Sequence, residues 1–279
     1  MAVVLNRAQL PKLLNRLEKS LPWSLKVHSD LKAVLSGKWP GIDFVVDQWP
    51  DFKVVITKPD PSKTKCQYVN ALCSVFCQDE TAFKMMLEQP IALNWSRRIL
   101  FEVIDIQLLD IVKEKGRRVG SRVHGEEGSS QILQVTSDSL VVVPVPEHLN
   151  MKSLESRNEV VETITVNWPY TSPGIPGLVK QLLDSFPSRC LVDKEDNLIG
   201  YALGQSWGSL GMLFVRPEYR GRGYGRVIIS QLANVYVTNG QSPVVCIDES
   251  NPASKRLHEK LGFRLIPELC VSWLTMVPV

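Results

Sequence analysis

Between Ser209 and Gly240 the chain reads SLGMLFVRPEYRGRGYGRVIISQLANVYVTNG, the stretch that most restricts what the chain can fold into. Leu210 to Val215 is an unbroken apolar run, too short for a helix and without the alternation of a strand that has one wet face. Such a run is a strand buried on both sides, and burial on both sides needs helices above and below the sheet. Arg216-Pro217 ends the strand, three glycines follow at 221, 223 and 225, and a long helical pattern then runs to Gly240. A buried strand, a glycine turn and a helix in succession put the chain in the α/β class.

The sequence around this unit repeats the alternation. From Glu147 onward, NEVVETITVNW and GIPGLVKQLLDSF read as helices, and SRCLVDKEDNLIGYALGQ as two strands about an Asp-Asn turn. SPVVCID is a further strand, NPASKRLHEKLG a short helix stopped by Gly262, and FRLIPELCVSWLTMV the closing strand. The first half is more mixed. An amphipathic helix carries Leu10, Leu13, Leu14, Leu17 and Leu21, FVVDQWPDFKVVITKP reads as strand, turn and strand, and DETAFKMMLEQP reads as a helix capped by Asp79 or Thr81. Residues 112–131, with four glycines and many charges, read as a surface loop or linker, and QILQVTSDSLVVVPVP as an apolar strand ending at prolines. The change of texture suggests two domains, 1–146 and 147–279.

Composition removes several function classes. The 279 residues are 44% hydrophobic, enough for sizeable cores, and 32 basic against 29 acidic residues leave a net charge of +3, too small for a dedicated nucleic-acid binder. No apolar run approaches the ~20 residues of a membrane span. Six cysteines include no Cys-x-x-Cys pair, and no histidine-rich segment joins Cys73 and Cys77 into a zinc site, so they read as free thiols and no metal is expected. The N-terminus carries Arg7, Lys12, Arg16 and Lys19 around its first acid, Glu18, a bias resembling an organelle transit sequence and equally compatible with a structural helix.

The chemistry therefore concentrates in the turn between strand and helix. The free amides at a helix start and those of the turn make a donor pocket at the positive end of the helix dipole. Gly221, Gly223 and Gly225 lack Cβ atoms and admit a ligand to the backbone, while Arg220 and Arg222 suit phosphate oxygens. A pyrophosphate fits. The turn lacks the Gly-Lys-Ser/Thr of a P-loop, and its glycine spacing and missing downstream acid exclude the dinucleotide fingerprint.

Arg220-x-x-Gly223-x-Gly225, preceded by VRPEY, resembles the acyl-CoA signature R/Q-x-x-G-x-G/A of the GNAT N-acyltransferases. NPASKRLHEKLGF resembles the later motif of that superfamily: Asn251, Ser254, Leu257, Gly262 and Phe263 match, and His258 stands where tyrosine is usual. LEKSLPWSLKVHS, VVDQWPDF, Asn94-Trp95 and LLDSFPSRCLVDKEDNLIGYALGQ narrow the likeness to the glycine N-acyltransferase family.

The resemblance implies a GNAT fold, a central mixed twisted sheet flanked by helices, with a divergent GNAT-like N-terminal half. It implies acyl-CoA as co-substrate, no permanently bound cofactor, glycine or another small amino acid as acceptor, and a mitochondrial address, cytoplasmic being the alternative. CoA would then be held by Leu213, Val215, Arg220, Gly221, Arg222, Gly223, Tyr224, Gly225 and Asn251, with an N–H near Leu213 available to a developing oxyanion. One departure matters. Counting back from Pro217 puts Ser209 where active members of the family carry a glutamate thought to be the general base, and no acid lies between Gln205 and Arg216. Asp248 and Glu249 are candidate replacements, though they also read as a turn ahead of Asn251, and His258 is a candidate in proton transfer. An acyl-CoA-binding pseudoenzyme is the competing expectation.

Overall fold

The computed structural model describes residues 1–126, 128–170 and 172–279. They form two compact units, Met1–Ser130 with Glu268–Val279, and Gln131–Pro267. The boundary expected from texture lay at 146/147. Residues just after 130 serve the second unit instead, because Leu133, Val135 and Leu149 pack into its core and Val141 donates its amide to Leu261 O at 3.0 Å. The last strand returns to the first unit, where Leu274 and Met276 are core.

The first unit opens with β1 (Val3–Val4), α1 (Leu10–Glu18) and α2 (Leu25–Leu35). Leu10, Leu13 and Leu17 of α1 are buried, whereas Leu21 is 39% exposed, so the leucine periodicity predicts the helix but overruns its end. Next come β2 (Ile42–Val46), β3 (Val54–Pro59), β4 (Leu72–Cys73), β5 (Val75–Cys77) and α3 (Glu80–Leu87), whose Asp79 cap accepts from the Ala82 amide. β1, β2, β3 and β5 pair antiparallel in that order. Then follow β6 (Ile99–Asp105), a 3-10 turn at Ile106–Leu108, α4 (Leu109–Arg118) and β7 (Ser121–Glu126).

The helix and strand at 109–126 correct the loop expected over 112–131, within which Glu127 lies outside the described residues. Gly116 misled the reading. It sits within α4 because a Cβ there would strike the Met276 side chain, so it allows close packing rather than a turn. Lys115 and Arg118, two of the apparently loose charges, both pair with Glu88.

The second unit begins with β8 (Ser130–Gln134), β9 (Asn150–Lys152), α5 (Asn158–Asn167) and α6 (Ile175–Ser185). Only 131–134 of the apolar run at 131–146 is strand; at Val143 the chain lies along the later helix, its amide on Ser230 Oγ at 3.0 Å and its carbonyl on Gln231 Nε2 at 2.9 Å. β10 (Ser188–Val192), β11 (Leu198–Gly204) and β12 (Leu210–Val215) complete an antiparallel sheet in the order β12-β11-β10-β9. α7 (Tyr224–Thr238), β13 (Val244–Asp248), α8 (Pro252–Glu259) and β14 (Arg264–Pro278) close the chain. Contact between α7 and the sheet is close: a Cβ on Gly204 of β11 would collide with the Tyr236 hydroxyl, and one on Gly200 would meet Ile228 and the backbone of β12. Ile228, Leu232 and Ala233 of α7 are fully buried there.

Candidate functional site

β12 and β13 run parallel and meet at one isolated bridge, Ser209 to Val244, where the Val244 amide reaches Gly208 O at 3.1 Å. No further pairs join them among the described residues, so the strands part toward their C-terminal ends. The other edge of β12 pairs with β11. Arg216 N donates to Ile199 O at 2.9 Å, which makes Phe214–Tyr201 the next hydrogen-bonded pair and turns the polar groups of Val215 away from β11. A bulge then sets Met212 and Leu213 against the single residue Ala202, with Met212 at φ 51°. The polar groups of Leu213 and Val215 thus face the opening between the strands. Val215 O shows this directly, since it accepts from Arg220 Nε at 3.0 Å.

Beyond β12, Pro217–Tyr219 forms a 3-10 turn, and Gly221 and Gly223 take φ of 77° and 80°. Both left-handed positions demand glycine; a Cβ on Gly221 would meet nothing within 4 Å, so conformation rather than space selects it. Among the described residues, the amides of Gly221, Arg222, Gly223, Tyr224 and Gly225 find no partner in the protein. Five successive donors at the start of a fifteen-residue helix make an anion nest. Four exposed arginines, 216, 220, 222 and 226, surround it, and one acid, Glu218, lies 3.9 Å from Arg216. Arg220 lies over the Phe214 ring at 6.0 Å and Arg222 over Tyr219 at 5.5 Å, its Nη2 on Glu218 O at 3.2 Å.

Gly225 differs from the role expected of it. Its absent Cβ faces Leu257, Leu213 and Val215 at 3.2 to 3.9 Å, so it lets α7 close on β12 and α8 rather than opening the backbone to a ligand. Tyr224 offers its amide to the nest while its ring is buried in the core.

α8 follows β13, and its Leu257 touches the space at Gly225. Asn251 caps it, its side chain accepting from Ser254 N at 3.0 Å. His258 is 4% exposed, its Nδ1 2.8 Å from Ser254 O, its ring edge-on to Phe263 at 5.3 Å. Burial pushes its pKa down to about 4 against the opposing Ser254 carbonyl, which keeps the imidazole neutral near pH 7. Asp248 accepts from the hydroxyl of Ser250 at 2.5 Å and its amide at 2.7 Å, bonds that hold its carboxylate below the usual range. Glu249 is exposed, with Gln131 Nε2 at 3.5 Å. Ser209 is 3% exposed at the vertex where the strands part.

The site thus offers an amide nest with surplus positive charge and a strand edge with unpaired amide groups, while α8 buries a neutral imidazole. Such a combination suits an extended ligand with a polyanionic end and an amide-bearing arm. Of the residues expected from the sequence, the structure brings together Arg220 to Gly225 with Leu213 and Val215, and it buries His258 on α8. Sequence reasoning missed the bulge at Met212, for which the sequence carries no signal, and the hold of Arg220 on Val215.

Comparison with known proteins finds two matching families. Residues 1–167 match the family described as aralkyl acyl-CoA:amino acid N-acyltransferase, and residues 191–273 match the FR47-like protein family. Glycine N-acyltransferase of Bos taurus is 22% identical over 293 residues, covering 97% of this chain and 98% of that protein. Its Homo sapiens counterpart is 24% identical, with 98% of each covered. Among solved structures, a Drosophila protein superposes with a TM-score of 0.82 at 17% identity, covering 99% of this chain and 98% of its own. A tandem GNAT protein from the clavulanic acid biosynthesis pathway gives 0.56 at 12%, covering 99% and 97%.

Proposed function

The chain belongs to the aralkyl acyl-CoA:amino acid N-acyltransferase family, and from that premise we propose that it moves an acyl group from CoA to the amine of a small amino acid, glycine foremost. The observation that carries the reading is the nest at Gly221–Gly225 beside the free edge of β12. In this reading the amides from Gly221 to Gly225, with Arg220 and Arg222, hold the CoA pyrophosphate. Leu213 and Val215 pair with the amides of the pantetheine arm, as a neighbouring strand would. Asn251, which caps α8, is a further candidate contact for CoA in this reading.

The acceptor amine must arrive uncharged, because an ammonium has no lone pair for the thioester carbon. Attack puts negative charge on the carbonyl oxygen, and an N–H facing the opening at Leu213 stabilises it. Asp248, Glu249 and His258 are the candidate proton carriers. No resident cofactor is needed; acyl-CoA enters as substrate. The basic N-terminus supports a mitochondrial address, with the cytoplasm as the alternative, and fractionation of cells carrying a tagged full chain tests it.

One observation favours a second reading, an acyl-CoA-binding pseudoenzyme: Ser209, which the count back from Pro217 sets where the family glutamate is expected, is buried, and its hydroxyl is no base near neutral pH. Calorimetric titration with an acyl-CoA, followed by thiol release across a panel of amino acids, separates the two. Release with at least one acceptor supports transfer. Binding without release for any acceptor supports the pseudoenzyme.

A further inference from the structure

We infer that the Gln205 carboxamide receives the carboxylate of the acceptor amino acid, an assignment that rests on the acyl-transfer reading above. Gln205 opens the turn into β12, and backbone bonds already close that turn: its amide donates to Ser209 O at 2.8 Å and its carbonyl accepts from Gly208 N at 3.1 Å. The side chain does something else. Trp207, 2% exposed, donates its indole N–H to Gln205 Oε1 at 3.1 Å. An indole nitrogen can only donate, so this bond fixes which end of the carboxamide is oxygen. Nε2 is then the end that lies over Gly211 of β12, where a Cβ would stand 2.7 Å from it. Gly211 has no positive φ, so room for that nitrogen, rather than backbone conformation, selects glycine there. Nε2 has no hydrogen-bond partner among the described residues, and Gln205 and Gly211 are both half-buried.

Strand register places that nitrogen. Residues paired across neighbouring strands point to the same side of a sheet. Gly204 pairs with Leu210 and Gly200 with Val215, and both glycines lie under α7, where a Cβ would meet Tyr236 or Ile228. The pairs Leu203–Gly211 and Tyr201–Phe214 therefore turn to the opposite face, the two rings 5.5 Å apart. An arm that starts at the nest and pairs with Val215 and then Leu213 carries its thioester end toward Gly211. α7 closes one face of β12 at Leu213 and Val215, where Gly225 lets it approach. The acceptor amine comes from the other face, the one that carries Gln205 Nε2. An amino acid bears its carboxylate on the carbon beside that amine, and an N–H to a carboxylate is a charge-assisted bond. No acid between Gln205 and Arg216 stands to repel it.

The test uses the full chain with benzoyl-CoA, the variants Gln205→Glu and Gln205→Leu, and two acceptors, glycine and glycinamide, which has a neutral amide in place of the carboxylate. If the acceptor panel selects another amino acid, that one and its amide replace them. Gln205→Glu keeps an acceptor for the Trp207 indole and sets an anion where the donor was, while Gln205→Leu removes the donor without adding charge. Wild type should release thiol with glycine. In both variants kcat/KM for glycine should fall about tenfold or more, the worth of one charge-assisted hydrogen bond, and mainly through KM. For glycinamide the change should stay below about threefold, as should the change in benzoyl-CoA affinity. Equal falls with both acceptors, an unchanged glycine KM in Gln205→Glu, or loss of benzoyl-CoA binding in both variants would overturn the assignment. Wild-type binding of benzoyl-CoA without thiol release for any acceptor would overturn the transfer reading itself, and this assignment with it.

Discussion

Both β6 and β12 carry a bulge with one non-glycine residue in the left-handed region, Val103 at φ 56° and Met212 at φ 51°, and both run through a 3-10 turn into a helix. Such backbone costs about 1–3 kcal/mol per residue, and packing in each unit must hold it in place. The two part at the turn. After β6 no glycine intervenes; Asp105 accepts from the Gln107 amide at 2.9 Å and Asp110 stands in the first turn of α4, so carboxylates already occupy the positive helix end. After β12 the two left-handed glycines hold the amides open. The bulges differ likewise. Leu213 turns an apolar side chain inward, whereas Glu102 pairs with Lys26 at 2.8 Å, and Lys26 with Asp30 at 2.5 Å. One backbone device thus becomes an anion site or a closed ionic core according to a few side chains.

The largest expected effect would break the ionic side of this comparison. Burial alone would lower the Lys26 pKa, but Asp30 and Glu102 outweigh it and leave it raised. Lys26→Met strands the buried carboxylate of Asp30 and the half-buried one of Glu102, and should cost about 3–5 kcal/mol in urea unfolding, with benzoyl-CoA affinity unchanged under native conditions. Acid should strain both units next. His258 has a folded pKa near 4 against 6.5 when unfolded, and His28 is also pulled down, by burial and by Lys32 against Glu18. The unfolded chain therefore binds more protons, and stability is full above pH 6.5 and falls as the pH drops toward 4. The His258 share is about 3 kcal/mol, and His258→Phe should flatten that part of the curve.

Gly223→Val sharpens the anion side, since a β-branched residue cannot hold φ 80°; acyl-CoA affinity should fall about 100-fold. Arg220→Ala should weaken it about tenfold and reduce its salt dependence. Arg117→Ala, on the closing turn of α4, should change it less than twofold.

How much of this was readable in advance depended on whether function rests on local pattern. The turn from Arg220 to Gly225 was legible because left-handed glycines and clustered arginines leave a signature in consecutive residues. The bulge was not, because Met212 adopts its conformation through the pairing of β12 with Ala202, a distant contact. Gly116 and Gly225 show the converse error: both read as conformational punctuation, and both serve packing against distant side chains. His258 stands out in the sequence by its place in a motif, but its burial against Phe263 and Ser254 O follows from the fold.

Calorimetric titration of the full chain with benzoyl-CoA should show one site per chain, nearly lost in Gly223→Val. Two equivalent sites, or full binding retained in that variant, would contradict the assignment of the acyl-CoA cradle to the turn after β12.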